Sequence, residues 1–200
     1  NGLKFIRSDS TFFHSNDCKN LFELVDFNKP LDDSLEPGLI WPEQNAIQKH
    51  VISCVSISCI DLNRIQKRRF KVVIDAVNGA GSEALPVLLE SLGCDVIKLN
   101  CEPDGNFCRG TEPLPEHLKD LGNMVKDYNA DAGFAIDPDA DRLAVVDEKG
   151  QPLGEEYTLV LAVDGYLKET RKKEKFVVNL STSLAIEKLA MRYKSIVKRS

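Results

Sequence analysis

The sequence lacks the features that mark several classes of protein. It has no excess of positive charge, because 26 Lys and Arg residues stand against 31 Asp and Glu residues, giving a formal net charge of -5. That balance argues against nucleic acid as a partner. No apolar run approaches the length of a membrane span, and the 200 residues contain no recognisable signal peptide. We therefore expect neither a nucleic-acid partner nor a membrane partner.

The cysteines also lack the spacing of a zinc site, in which pairs of cysteines are separated by about two residues. The six residues are Cys18, Cys54, Cys59, Cys94, Cys101 and Cys108. Most of them lie in or beside apolar segments, which is typical of small buried hydrophobic residues. So many unpaired thiols favour a reducing, cytoplasmic location.

An initiator methionine is absent, and the chain opens on an apolar stretch, Leu3–Ile6, that predicts a strand. We therefore expect a piece of a longer protein. What is present is an ordinary globular composition, with 42% hydrophobic and 28% charged residues. Two hundred residues can form one large domain or parts of two or three.

The central part of the chain alternates apolar runs with helical periodicity. Strands are predicted at Lys71–Ala76, Asp95–Leu99 and Ala132–Ile136, with helices at Ser82–Leu92 and Leu114–Tyr128. This order predicts an α/β fold, a three-layer domain whose mixed or parallel sheet carries helices on both faces. Ligands of such sheets gather at the carboxyl ends of the strands.

Partial α/β domains are predicted on both flanks of this centre. A polar, proline-containing stretch that ends at Gly38 forms a first boundary, and the pattern restarts after Gly150. There we expect a helix over about Glu155–Lys168, a strand over Phe176–Leu180 and a helix over Ser183–Tyr193. The predicted division is residues 1–38, 39–150 and 151–200, with the first and last parts incomplete.

The most informative stretch follows the strand that ends at Ile136. Asp137, Asp139 and Asp141 occupy alternate positions, so in an extended loop their side chains point the same way. Three carboxylates at close range repel one another, and a divalent cation with hard oxygen ligands relieves that repulsion, for which we expect Mg²⁺. Arg142 cannot be a ligand, but it is placed to bind an anion on the metal. The pattern indicates phosphate chemistry.

Two other interpretations of this loop fit less well. The three aspartates and Glu148 match positions one, three, five and twelve of a calcium-binding helix-loop-helix, but that loop needs glycine at its sixth position, where this chain has Arg142. The flanking residues also predict strands rather than helices. A solvated acidic turn fits poorly too, because apolar runs enclose the acids.

Several stretches resemble the α-D-phosphohexomutases, the superfamily of phosphoglucomutase and phosphomannomutase that includes phosphoglucosamine mutase. The acidic loop with its flanks, Gly133–Gly150, is similar to the metal-binding loop of that family. Similar stretches elsewhere are Val73–Ser82 with its Asn-Gly-Ala-Gly turn, Glu102–Gly105 followed by Phe107, and Val177–Ser183. The resemblance covers nearly the whole chain and implies the tail of a first domain, a whole second domain and the start of a third.

The resemblance implies a phosphotransferase that interconverts hexose 1-phosphate and hexose 6-phosphate through an enzyme phosphoserine and a bisphosphate intermediate. It assigns the Mg²⁺ ligands to Asp137, Asp139 and Asp141 and phosphate binding to Arg142. Lys4 matches a lysine that exchanges a proton with the sugar or stabilises the phosphate. The serine loop is not among these 200 residues. We therefore expect a hexose phosphate substrate and the other domains of the same protein as partners, and no activity from this piece alone.

An alternative from another class is a metal-dependent anion-binding or interaction module without catalysis. A serine-rich loop upstream of Asn1 in the reading frame would favour the enzyme, and its absence would favour the module. Other features are expected to be structural. Gly79 and Gly81 form a strand-to-helix turn without the Lys-Ser/Thr pair of a phosphate-binding loop, and Ser181–Ser183 precede the last predicted helix as a cap.

Overall fold

The computed structural model of the protein describes residues 5–26, 38–39, 41–154 and 156–200. The chain divides into two units, residues 1–42 and residues 43–200. The first unit contains helix α1, Ser15–Asp26, and an isolated antiparallel bridge between Ile6 and Phe12. At the N-terminus of α1, Asp17 Oδ2 accepts the backbone N–H of His14 at 2.9 Å, as in one half of a capping box.

The second unit begins with two helices and then alternates strands and helices. In chain order its elements are α2 (Ala46–Val55), α3 (Leu62–Arg68), β1 (Lys71–Asp75), α4 (Gly81–Ser91), β2 (Asp95–Leu99), α5 (Lys119–Asp127), β3 (Ala132–Ile136), β4 (Leu143–Val146), α6 (Glu156–Thr170), β5 (Lys175–Val178), α7 (Ala185–Arg192) and β6 (Ile196–Arg199).

Strands β1 to β4 form one sheet in the order β2-β1-β3-β4. The central strand β1 runs parallel to both β2 and β3, whereas β4 turns back and pairs with β3 in the antiparallel direction, Ile136 opposite Leu143. The predicted α/β fold with a mixed sheet is confirmed. The hairpin between β3 and β4 is the acidic loop, so the loop lies at the carboxyl end of the parallel strands.

Helices cover both faces of this sheet. Alternate residues of β1 point to opposite faces. Val73 packs with Leu121 and Val125 of α5, and Ile74 packs with Leu89 of α4. Both β1 side chains are fully buried. A strand that is covered on both faces has a nearly continuous apolar sequence, and for that reason β1 could be predicted from the sequence.

The predicted helix over Leu114–Tyr128 is interrupted. A short 3₁₀ turn, Pro115–His117, precedes α5, and Leu118 between them has φ −104°, outside the helical range. Leu118 is almost fully buried among the apolar residues that α5 packs against the sheet. The break thus turns a side chain into the core before the helix begins.

Strands β5 and β6 pair in parallel in a separate two-stranded sheet. Helices α6 and α7 pack on one face through Val163, Leu167, Ile186 and Leu189. The opposite face is open, since Val177 is 68% exposed and Ile196 is 52% exposed. The predicted division into residues 1–38, 39–150 and 151–200 stays a prediction. Within the described ranges, no helix is both long and apolar enough for a membrane span.

Candidate metal centre

The acidic loop brings its three carboxylates together. One oxygen from each of Asp137, Asp139 and Asp141 lies within 4.8 Å of the other two. The backbone makes this possible by a turn in which the Ala140 N–H donates to the Asp137 carbonyl at 3.0 Å, with Ala140 at φ +59°. The spacing of the aspartates thus produces the predicted cluster, and its role as a metal site stays a prediction.

The three aspartates differ in burial. Asp137 is 5% exposed, while Asp139 and Asp141 lie at the surface. Burial raises the pKa of Asp137, and the neighbouring Asp139 and Asp141 raise it further, against the backbone N–H of Arg142, which lowers it. That N–H donates to Asp137 Oδ1 at 3.0 Å. A divalent cation would favour the ionised form of Asp137, and carboxylate oxygens are the donors that Mg²⁺ prefers.

Arg142 lies at the side of this cluster. Its guanidinium pairs with the carboxylate of Glu112, and its Nε lies 4.0 Å from Asp141 Oδ1. About half of the Arg142 side chain is exposed, so solvent and a ligand can reach it. The structure therefore places the predicted anion-binding cation next to the predicted metal ligands, and it adds Glu112 as a partner that the sequence did not indicate.

The glycine turn, residues 78–81 between β1 and α4, packs against the acidic loop. A Cβ on Gly79 would lie 2.6 Å from the carbonyl oxygen of Pro138, and one on Gly81 would lie 2.2 Å from Ile136 Cδ1. The Ala80 N–H donates to the Pro138 carbonyl at 2.8 Å. At Gly79 only glycine allows the two backbones to approach so closely, whereas at Gly81 the close neighbour is the end of the Ile136 side chain. The turn is structural, as the sequence predicted, and the structure it supports is the acidic loop.

Sequence reasoning missed a buried ion pair behind the loop. Arg109 Nε donates to Asp75 Oδ2 at 2.7 Å, and Arg109 Nη2 donates to the carbonyl of Ile136, the residue before the first aspartate, at 2.8 Å. The sequence does carry a signal for such a pair, namely an acid, Asp75, at the end of the apolar strand β1. A buried acid needs a hydrogen-bonded or charged partner. No local pattern identifies a partner 34 positions away along the chain.

The remaining predicted site residue, Lys4, falls outside the described residues. In the Ser181–Ser183 run, Ser183 Oγ accepts the N–H of Ala185 at 3.2 Å, but the cap position of α7 is Leu184, which makes no side-chain cap bond, so the predicted cap is displaced by one residue. Strands, not helices, flank the acidic loop, which excludes the calcium-binding helix-loop-helix that Glu148 would have completed.

Comparisons with known proteins agree on one family. A family model described as phosphoglucomutase/phosphomannomutase, alpha/beta/alpha domain II, matches residues 48–150. The chain is 33% identical over 190 residues to a probable phosphoglucosamine mutase of Methanopyrus kandleri, a match that covers 94% of this chain and 41% of that protein. It is 39% identical over 165 residues to a phosphoglucomutase/phosphomannomutase of Thermococcus kodakarensis, covering 80% and 36%. The chain thus spans about two fifths of the length of these relatives.

Solved structures share the fold. A putative phosphomannomutase from Thermus thermophilus superimposes with a TM-score of 0.74 at 19% identity, covering 96% of this chain and 43% of that one. A phosphoglucomutase/phosphomannomutase family protein from Burkholderia thailandensis gives 0.67 at 22% identity, covering 94% and 39%. At these identities the likeness concerns the fold alone.

Proposed function

The chain belongs to the phosphoglucomutase/phosphomannomutase family of α-D-phosphohexomutases, and from that premise we propose that it supplies the metal loop of a hexose phosphate mutase. Such an enzyme interconverts hexose 1-phosphate and hexose 6-phosphate, with glucose, mannose or glucosamine as the sugar. One observation carries the proposal. Three carboxylates meet within 4.8 Å at the carboxyl edge of the sheet, beside Arg142.

In this proposal Asp137, Asp139 and Asp141 hold Mg²⁺. When bound, the ion supplies positive charge that polarises a phosphate oxygen and neutralises charge during transfer. Arg142 donates to the same phosphate, since its planar guanidinium can contact two oxygens at once. Glu112 holds that guanidinium beside the loop before the phosphate arrives.

The family resemblance extends the proposal to the reaction cycle. A phosphoserine donates its phosphoryl group to the hexose monophosphate, and the resulting bisphosphate reorients and returns the other phosphate. No residue of these 200 matches the donor serine, so we propose that this chain alone shows no turnover. Lys4 is proposed to exchange a proton with the sugar hydroxyl or to stabilise the phosphate.

We also propose a cytoplasmic location. All six cysteines are free thiols in the described structure. A reducing compartment keeps thiols in that state, whereas secreted proteins usually pair them. Non-reducing mass spectrometry of the protein isolated from its own cells tests this, and disulfide-linked peptides would contradict it.

Calorimetric titration with Mg²⁺ tests the metal site. We expect the wild-type chain to bind Mg²⁺ and Asp139→Ala to bind at least about tenfold more weakly, because changes to residues that only support ligands already cost about 10- to 100-fold. Asp127→Asn is the matched control, since it removes a carboxylate from the last turn of α5 and leaves the loop intact. Equal affinities of wild type and Asp139→Ala would remove the proposed site.

Conversion of glucose 1-phosphate to glucose 6-phosphate tests the enzymatic part. We expect none from the 200-residue chain and turnover from the complete reading frame. Mg²⁺ binding without turnover by the complete protein would instead support the alternative, a metal-dependent anion-binding or interaction module.

A further inference from the structure

Arg109 lies behind the metal loop and joins three parts of the chain. Its side chain is only 8% exposed. Nε donates to Asp75 at the end of β1, and Nη2 donates to the carbonyl of Ile136 at the end of β3. Nη1 donates to the Gly110 carbonyl at 2.9 Å, within its own loop. One planar guanidinium thus fixes the two strand ends from which the site is built.

Asp75, the anchor of this arginine, is itself held in place. Its Oδ1 accepts the backbone N–H of Val77 at 2.9 Å and the Nδ2 of Asn100 at 3.2 Å. Its Oδ2 accepts Arg109. Both carboxylate oxygens are therefore bonded, and the carboxylate is tied to the ends of β1 and β2. A buried charge that is hydrogen-bonded in this way has little freedom to move.

The backbone at the start of the loop is held at three successive carbonyls. The pairs are Arg109 Nη2 to Ile136 O at 2.8 Å, Ala140 N to Asp137 O at 3.0 Å, and Ala80 N to Pro138 O at 2.8 Å. The first of these fixes the peptide plane between β3 and the first aspartate. The direction in which Asp137 points depends on that plane.

We infer that Arg109 is a positioning residue, which orients Asp137 for the metal through the Ile136 carbonyl. The inference rests on the proposed metal-binding function. Burial of an ion pair is a poor way to stabilise a fold, because desolvation offsets the attraction and apolar replacements are often neutral. The distinctive contribution of Arg109 is the second hydrogen bond, which links the ion pair to the loop.

Arg109→Lys separates the ion pair with Asp75 from the hydrogen bond to the Ile136 carbonyl. The lysine ammonium keeps a charge near Asp75 but lacks the planar fork that spans Asp75 and the Ile136 carbonyl. We expect the Mg²⁺ affinity to fall about 10- to 100-fold, as is typical when a group supporting a metal ligand is lost. In the metal-free chain we expect faster hydrogen exchange at the Ala80 and Arg142 amides, and unchanged exchange in α5.

Arg199→Lys is the matched control. Arg199 also bonds a carboxylate, Glu187, at 2.8 Å, and backbone carbonyls such as that of Thr182 at 2.8 Å, but it lies in β6. This variant should leave both the Mg²⁺ affinity and the loop amides at wild-type values. An equal effect of the two lysine variants would show a general loss of stability and would overturn the inference.

A double variant, Arg109→Met with Asp75→Asn, covers the case in which Arg109→Lys does not fold. It removes both buried charges together, and the asparagine keeps a side-chain oxygen that can accept from the Val77 N–H and Asn100, so the fold should persist. Faster exchange of the Ala80 and Arg142 amides in the folded double variant supports positioning, and wild-type exchange there overturns it. If the wild-type chain binds no Mg²⁺, the proposed metal site fails, while the exchange data still decide the role of Arg109.

Discussion

The two sheets of the second unit are built from the same alternation of strands and helices, yet their strands are buried to very different degrees. Val73 and Ile74 in β1 are fully buried, whereas Val177 in β5 is 68% exposed. The side chains are similar in kind, so residue type does not explain the difference. Helices cover both faces of the four-stranded sheet and one face of the β5-β6 sheet.

The candidate metal centre lies on the sheet that is covered on both faces. There the loop is held by the glycine turn and by Arg109, both of which depend on the position of β1. Side chains that must be held within about 0.5 Å of a working geometry are best carried by rigid, packed elements. The comparison indicates why the site lies at this edge of the fold.

The largest expected effect contrasts one core residue with one exposed residue. Ile74→Ala should lower the free energy of unfolding by about 2–5 kcal/mol, because it leaves a cavity between β1 and α4. Val177→Ala on the open face of β5 should change it by no more than about 0.5 kcal/mol. Chemical denaturation followed by circular dichroism measures both. Similar losses would mean that the open face is packed in solution.

A second test makes the same substitution at one glycine in each region. Gly79→Ala places a Cβ 2.6 Å from the Pro138 carbonyl oxygen. We expect a loss of about 1–3 kcal/mol from overpacking, together with weaker Mg²⁺ binding as the loop shifts. Gly165→Ala, with open space around its Cβ in helix α6, should gain about 0.5–1 kcal/mol.

Denaturation and Mg²⁺ titration of the two glycine variants measure these effects. We expect changes of opposite sign in the free energy of unfolding. Backbone contact determines the effect at Gly79, and helix propensity determines the effect at Gly165. A Gly79→Ala chain with wild-type stability and wild-type Mg²⁺ affinity would show that the glycine turn does not support the loop.

The smallest effect concerns acid pH. Hydrogen bonds from Lys168 and Tyr193 hold the pKa of Asp164 below its ordinary value, and the bond from Tyr193 joins α6 to the end of α7. The folded chain therefore binds this proton less tightly than the unfolded chain. The stabilisation is complete above the unfolded pKa of about 3.9 and is lost as the pH falls through the folded pKa.

Asp164→Asn should therefore lose less stability than the wild type when the pH is lowered past about 3.9. Lys168→Met, which removes the largest cause of the shift, should behave in the same direction. Hydrogen exchange of α7 amides at several pH values measures this locally. Equal acid sensitivity of the wild type and both variants would show that Asp164 does not link the two helices.

Much of the fold could be predicted because its signals are local. The apolar run of β1 and the turn residues after it indicate their structure within a few positions of the chain. The break at Leu118 could not be predicted, since it depends on where that side chain packs rather than on the periodicity around it. The open face of β5 is likewise a property of the assembled layers.

The candidate site divides in the same way. Asp137, Asp139 and Asp141 were predicted because alternate spacing in one short loop carries the geometry. Arg109 and Glu112 were missed because their partners, Asp75 and Arg142, lie 34 and 30 positions away. No periodic pattern marks contacts that depend on how separate loops meet at a sheet edge.

The antiparallel turn from β3 into β4 has a practical consequence for protein engineering. All three carboxylates come from one five-residue stretch, whereas the groups that hold its backbone come from residues 79, 80 and 109. A synthetic peptide copied from the loop, or the loop transplanted onto a foreign hairpin, would carry the metal-binding atoms without their arrangement. A transplant that works has to bring β1, its glycine turn and Arg109 with it.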